Sequence, residues 1–266
     1  MTTARTASAR FVATQTLLTL DAKHPYIAKS LIDAQDMHRN VMSGFRGWVQ
    51  DGDPDARAQM GVLSTWTLNL RQARLSVVVQ SQVPGDWQNI PRDALVEPPE
   101  TLTVDRTFTT GETVSFRAVV NPVYARKPGG GPAGGSADGP AGGLAGGPQG
   151  PPQGRGIRTA HTRPDHVKKW FTNRLDTPAG SLAGSPAGSP AGPQGGARLG
   201  AEANPDELAV RMLPTVSSPA AHKGIRIVRA EIQGKLTVTD PRTFVTVLGA
   251  GLGRGRAYGC GLILVR

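Results

Sequence analysis

The sequence predicts an α+β protein built from two tandem ferredoxin-like (RRM-like) β-α-β-β-α-β domains, residues 1–110 and 111–266. Three observations carry this expectation. Strand-like and helix-like runs alternate in the same order in both halves. Two helix starts are marked by an aspartate where a cap belongs. The low-complexity sequence is confined to residues 128–154 and 178–200, inside the second half, so it reads as insertions that leave the repeated plan intact.

In the first half, Phe11–Leu20 alternates as a strand does. The N-terminal "MTTARTASARFVATQTLLTL" begins like a targeting peptide, but Thr14, Gln15, Thr16 and Thr19 break its apolar stretch. Asp33 is placed to cap a helix from Ala34 to Phe45, or to Trp48 if glycines are tolerated. On that helix Ala34, Met37, Val41, Phe45 and Trp48 share one face. Val62–Leu70 and Arg74–Ser81 read as a strand pair around a polar turn, and Pro91–Leu95 as a brief helix.

In the second half, Val114–Val120 is a strand stopped by Asn121-Pro122. Pro164–Leu175 suits a helix with proline in its first turn. Arg226–Val238 has long strand character, interrupted at Gly234. Asp240-Pro241 then pairs a cap with a proline at the first helical position, opening a helix to Leu248. "GLILVR" closes as a strand. The two tracts, "PGGGPAGGSADGPAGGLAGGPQGPPQG" and "PAGSLAGSPAGSPAGPQGGARLG", lack a strict Gly-X-Y period, which excludes collagen. They bury too little to offset ordering entropy and read as mobile loops. Between them, "RGIRTAHTRPDHVKKWFTNRLD" reads as a basic island tethered at both ends.

The formal net charge is +10, and the excess is uneven. Arg155–Arg174 holds six Lys/Arg against one acid, and Lys223–Arg266 eight against two. Such clustering marks either a polyanion site, nucleic acid being the usual partner, or a solvated basic face. One cysteine, Cys260, excludes an internal disulfide and a cysteine-rich zinc site. No apolar run approaches the length of a membrane span, so no membrane partner and a cytoplasmic location are expected.

Near the C-terminus "GAGLGRGRAYGCG" places six glycines and two arginines in thirteen residues. A dinucleotide fingerprint needs its glycines after a strand and before a helix, with an acidic residue about 20 positions on. Here the order is helix, loop, strand, and the chain ends fifteen residues after Gly251. That sets aside a cofactor-binding oxidoreductase. No Gly-Lys-Ser/Thr occurs, so it is not a P-loop. Two readings remain. The loop is a plain helix-to-strand connector, or its backbone at Gly251, Gly253 and Gly255, with Arg254 and Arg256, cradles phosphates.

Five histidines occur, at 24, 38, 161, 166 and 222, and any of them has a side chain suited to moving protons near neutrality. His38 falls at the rim of the apolar helical face, where a ring can be anchored yet reach a cleft. "DGDPDARAQMGV" (Asp51–Val62) has aspartates at positions 1, 3 and 5 of a calcium loop. Ala56 and Val62 stand where that loop needs glycine and glutamate, so it reads as an ordinary connection and no metal site is expected.

Several segments in order resemble one family. They are "DMHRNVMSGF" (Asp36–Phe45), "LSVVVQSQVPGDW" (Leu75–Trp87), "VSFRAVVNPVYAR" (Val114–Arg126), "RTAHTRPDHVKKWFTNRL", "IQGKLTVTDPRTFVTVL" and "GLGRGRAYGCGLILV". Together the chain resembles the repeat-associated RNA-binding proteins of CRISPR systems, and among them the CasE-type CRISPR RNA endoribonucleases, a Cascade subunit of type I-E systems. The resemblance covers nearly everything outside the two Pro/Gly tracts and the first few residues.

It implies a metal-independent, cofactor-free endoribonuclease. The enzyme would grip a CRISPR repeat RNA hairpin, cut once at its 3′ base, and stay on the crRNA with other Cascade subunits. His38 matches the family's catalytic histidine, with Arg39 beside it. Three residues earlier the family usually carries tyrosine, where this chain has Gln35, an amide that positions but does not titrate. Arg158 matches a basic residue near the hairpin, with Arg155, Arg163, Lys168 and Lys169 as further phosphate contacts. A non-catalytic hairpin-binding subunit of the same fold is the alternative.

Overall fold

The first strand, β1 (Ser8–Asp21), is apolar on both faces, and this organises the molecule. Side chains alternate along a strand, so Leu18 and Leu20 enter one core while Phe11 and Ala13 enter another. The computed structural model describes residues 7–50, 52–126, 157–176, 198–218 and 224–266.

After β1 come two helices, α1 (Pro25–Ile32) and α2 (Ala34–Met42). Asp33 caps α2 as expected, its carboxylate accepting from the Gln35 amide at 2.9 Å. The helix is shorter than expected. It tightens into a 3-10 turn at Ser43–Phe45, where a Gly44 side chain would meet the Trp87 ring at 2.6 Å, and Trp48 lies half exposed beyond it. A short helix α3 (Ala56–Gln59) leads into β2 (Leu63–Asn69) and β3 (Arg74–Ser81), paired antiparallel as the sequence indicates. The segment at Pro91–Leu95 is only a 3-10 turn, Arg92–Ala94. A strand not among those expected follows, β4 (Glu100–Thr109), in which Leu102, Val104 and Phe108 alternate with polar residues.

Among the described residues these strands order as β2–β3–β1–β4, all antiparallel, which is the ferredoxin-like order. α1 and α2 cover one face, where Ile27, Met37 and Val41 meet Leu75, Val77 and Val79.

The chain turns at Gly111 into β5 (Thr113–Val120) and then a hairpin of β6 (Val123–Arg126) and β7 (Ile157–Ala160). Helix α4 (Pro164–Thr172) follows, then β8 (Ala201–Glu202), β9 (Ala209–Ser218), β10 (Ile225–Val238), α5 (Pro241–Ala250) and β11 (Ile263–Val265). The order β11–β5–β10, with β8 and β9 both on β10, repeats the first unit's topology. Asp240 caps α5 by accepting from the Arg242 amide, with Pro241 at the first helical position.

Three expectations are corrected here. β10 runs unbroken through Gly234, which pairs with Phe116; a side chain there would stand 2.8 Å from Leu208. The basic segment is no tethered island, because Val167, Trp170 and Phe171 of α4 sit in the second core. The end of the second Pro/Gly tract is ordered, since Leu199 is fully buried and Gly200 lies against the Asp240 carbonyl. Residues 128–154 and 178–197 lie outside the described residues.

The second core also takes Phe11, Ala13 and Phe108 from the first sheet, and Phe108 meets Phe244 edge to face at 5.1 Å. Each fully buried side chain of this kind contributes about 1.5–3 kcal/mol. The two units therefore share a packed seam, and helix α5 lies along β1.

Candidate active site

His38 is in the middle of α2, one turn after Gln35, so the two side chains lie on one stripe of the helix. The imidazole is half-buried. Burial, and then the nearby charge of Arg57, hold its pKa below the ordinary histidine value. Arg57 comes from α3, where its guanidinium donates to the Val62 carbonyl at 2.9 Å. Burial and then the charge of Arg256 lower Arg57 in turn.

Arg256 belongs to the glycine loop. Its Nη1 donates to the Ala250 carbonyl at 2.7 Å, one of the last α5 carbonyls left without a helical partner. The loop leaves α5 at Gly251, φ +80°, where a Cβ would stand 2.7 Å from Leu63 of β2. It ends in a 3-10 turn, Arg256–Tyr258, followed by Gly259 at φ +74°, where a Cβ would stand 2.7 Å from Trp66 Nε1. Glycine is required at both, because an L side chain is strained there and the first sheet's side chains already fill the space. The loop is therefore pressed onto the unit that carries His38.

Tyr258 makes the contact itself. Its ring meets the His38 ring edge to face, centroids 6.1 Å apart, and its hydroxyl donates to Gln35 Oε1 at 3.1 Å. Tyr258 and Arg57 were not among the residues expected at the site. No local pattern announces either: Tyr258 reaches Gln35 across 223 positions, and Arg57 comes from a separate short helix; only the position of Tyr258 inside the glycine loop is a clue.

The rest of the seam is polar and tightly packed. Arg229 is 2% exposed and its guanidinium lies 3.7 Å over the Trp66 ring; Nε and Nη1 have no partner among the described residues. Arg117 reaches Glu231 and Thr67. Cys260, with its thiol pushed up to about 12 by burial, is packing and not a nucleophile.

The remaining candidates divide. Gly253 lies against the α4 residue Trp170, a Cβ there falling 3.2 Å from the ring, and Arg254 bridges to Asn121. The exposed side of α4 presents Arg163 and Lys169, with Lys168 half-buried. The loop thus stands between His38 and the basic helix. Arg39 is exposed and pairs with buried Asp36 at 3.2 Å. The Arg158 backbone pairs with Ala125 in the hairpin, and Arg155 lies outside the described residues. Asp53 of the calcium-like stretch closes the turn before α3, accepting from the Asp55 backbone amide and from Gln59 Nε2. Among the described residues no helix is long and apolar enough to cross a membrane.

Solved structures share this fold. "CRISPR endoribonuclease Cse3 bound to 19 nt RNA" aligns at TM-score 0.62 and 17% identity, over 96% of this chain and 99% of that one. The CRISPR-associated protein Cas6e from Escherichia coli K-12 aligns at 0.57 and 13%, over 95% and 98%. A chain of a CRISPR RNA-guided surveillance complex aligns at 0.54 and 17%, over 95% and 98%. None of the curated proteins matches in sequence. The family model described as CRISPR associated protein matches residues 15–266, both sheets and the glycine loop included, and the chain belongs to that family.

Proposed function

We propose that this protein is a CasE-type endoribonuclease that cuts CRISPR precursor RNA at the base of the repeat hairpin and stays with the crRNA as a Cascade subunit. One observation carries the reading: a half-buried histidine meets the end of a glycine loop ring to ring at Tyr258, with Arg57 beside it and the loop's Arg256 near Arg57. Supporting it, similar folds include an endoribonuclease bound to RNA and a chain of a surveillance complex. The reading takes residues 1–110 as the domain carrying the histidine and 111–266 as the domain carrying the loop.

The chemistry follows from the groups present. The 2′-oxygen attacks the adjacent phosphorus while neutral His38 takes its proton. The P–O5′ bond breaks, leaving a 2′,3′-cyclic phosphate, and the 5′-oxygen leaves as a hydroxyl with the proton that His38 took up, delivered directly or through water. Arg57 and Arg256 stabilise the negative charge that builds on the phosphoryl oxygens. An imidazole and two guanidiniums can supply both tasks, so the reaction is expected to proceed without a metal ion. Arg163, Lys168 and Lys169, with Arg155 and Arg158, would hold the hairpin through its backbone, since the A-form major groove is too narrow to read.

The test is a single-turnover cleavage assay on the host's repeat RNA in EDTA. His38→Ala should lower the rate by at least about 100-fold, the usual size of a general acid–base contribution, with RNA affinity retained. Undiminished cutting by that variant would remove His38 from the mechanism. No cutting by the unaltered protein would leave a hairpin-binding subunit.

A further inference from the structure

His38 carries a requirement that its own helix does not meet. An imidazole that takes a proton from a particular oxygen must be aimed, and in most such sites a hydrogen bond from the second ring nitrogen aims it. Among the described residues no hydrogen bond holds either nitrogen of His38. What touches the ring is Tyr258, edge to face at 6.1 Å and 64°.

Tyr258 is itself rigidly placed. Left-handed glycines bracket it, Gly255 at φ +74° and Gly259 at φ +74°, the second wedged against Trp66. Its hydroxyl donates to Gln35 Oε1 at 3.1 Å. The Gln35 backbone is fixed in turn by the Asp33 cap. Burial, and then the charge of Asp33, raise the Tyr258 pKa, so the phenol stays protonated and keeps donating at neutral pH. Gln35 and His38 are one turn apart, and Tyr258 spans both.

We propose that Tyr258 and Gln35 are a positioning pair that sets the orientation of His38 and docks the glycine loop onto α2. The inference rests on the function proposed above and adds to it a role for a tyrosine delivered by the other half of the chain. Gln35 acts here by accepting one hydrogen bond, without transferring a proton. Among the described residues, the charged or titratable groups that bear on His38 are Arg57 from α3, with Arg256 behind it, and Tyr258 from the loop; Arg39 on α2 pairs with Asp36.

The experiment compares Tyr258→Phe, Tyr258→Ala, Gln35→Ala and the Tyr258→Phe/Gln35→Ala pair with the unaltered protein and His38→Ala. Single-turnover cleavage is followed against pH, RNA affinity is measured, and the His38 ring is titrated by NMR without RNA. Tyr258→Phe should slow cleavage about tenfold, the size of one hydrogen bond, with affinity little changed. The double variant should be no slower than the slower single, because both remove one interaction. Tyr258→Ala should raise the His38 midpoint by on the order of half a pH unit as water reaches the ring.

A merely structural role would lower the melting temperature and leave the midpoint in place. Tyr258→Phe cutting at the unaltered rate, additive single effects, or a His38 midpoint unmoved in Tyr258→Ala would each overturn the pair. Cutting by His38→Ala would instead overturn the function reading. The NMR titration needs no cleavage, so it decides the pair in either case.

Discussion

The side-chain amide of Gln80, on β3, donates to the backbone carbonyl of Leu248 at 2.9 Å, across 168 positions of sequence. Gln80 is 1% exposed, and its own carbonyl accepts from the Gln15 amide at 3.0 Å. The last carbonyls of a helix have no partner within it. Gln80 therefore satisfies the end of α5 from inside the first sheet, at the point where the glycine loop begins. Arg256 satisfies another such carbonyl, that of Ala250. The start of the loop is thus registered against the sheet on which α2 packs, by Gln80 from that sheet and by Arg256 from the loop itself.

Replacing that amide tests the registration. Gln80→Leu keeps the volume but strands the Leu248 carbonyl and the Gln15 amide in a dry seam. The expected loss is about 1–3 kcal/mol of folding stability, the cost of leaving buried polar groups unpaired. Urea unfolding with an unchanged m-value would measure it. A midpoint equal to that of the unaltered protein would mean that water replaces the amide and the seam is not closed.

The pH dependence is fixed by the direction of the His38 shift. Burial and then Arg57 lower its pKa, so the neutral ring persists further into acid than in a free histidine. If His38 acts as the base, kcat/KM should stay flat on acidification until below about 6.5, the ordinary value, before it falls. Arg57→Gln removes a cation that opposes protonation, so the acid limb should move upward. It also removes charge stabilisation at the phosphate, so the plateau should drop by roughly ten- to a hundredfold. A lowered plateau with an unmoved limb would separate Arg57 from His38 electrostatically.

Much of this arrangement is written locally in the sequence. Asp33 before α2 and Asp240-Pro241 before α5 carry cap chemistry that needs no tertiary context, and both caps form. His24-Pro25 bears the same signature for α1 and was readable; its imidazole accepts from the Tyr26 amide at 3.3 Å. β4 alternates Leu102, Val104 and Phe108 with polar residues and was readable on that pattern. β9 was not, because the alternation of Val210 and Met212 is broken by the adjacent Leu213 and by Pro214. The site divides in the same way. His38 and the loop could be nominated from helix face and glycine content. The approach of Tyr258 to His38 exists only once the 3-10 turn of the glycine loop packs onto β2 and α2, and that of Arg57 only once α3 folds back beside α2; no local period encodes either.

Binding should rest on charge presented by α4. Val167, Trp170 and Phe171 face the core, which leaves Lys169 exposed, Lys168 half-exposed and Arg163 exposed at the start of the helix. Trp170 also fixes this helix against Gly253 and donates to the Val123 carbonyl at 3.0 Å, so the basic face is held beside the loop. Each lysine that neutralises a phosphate releases condensed counterion, so affinity for repeat RNA should fall linearly on a log–log plot against salt. Replacing Lys168 and Lys169 together by alanine should weaken binding to all hairpins alike. It should also flatten that slope by about one for each phosphate that is no longer neutralised. Fluorescence titrations across a series of salt concentrations would read both effects. A slope unchanged in the double variant would move the RNA off this helix, leaving Arg254, Arg256 and the hairpin arginine Arg158 to hold the backbone.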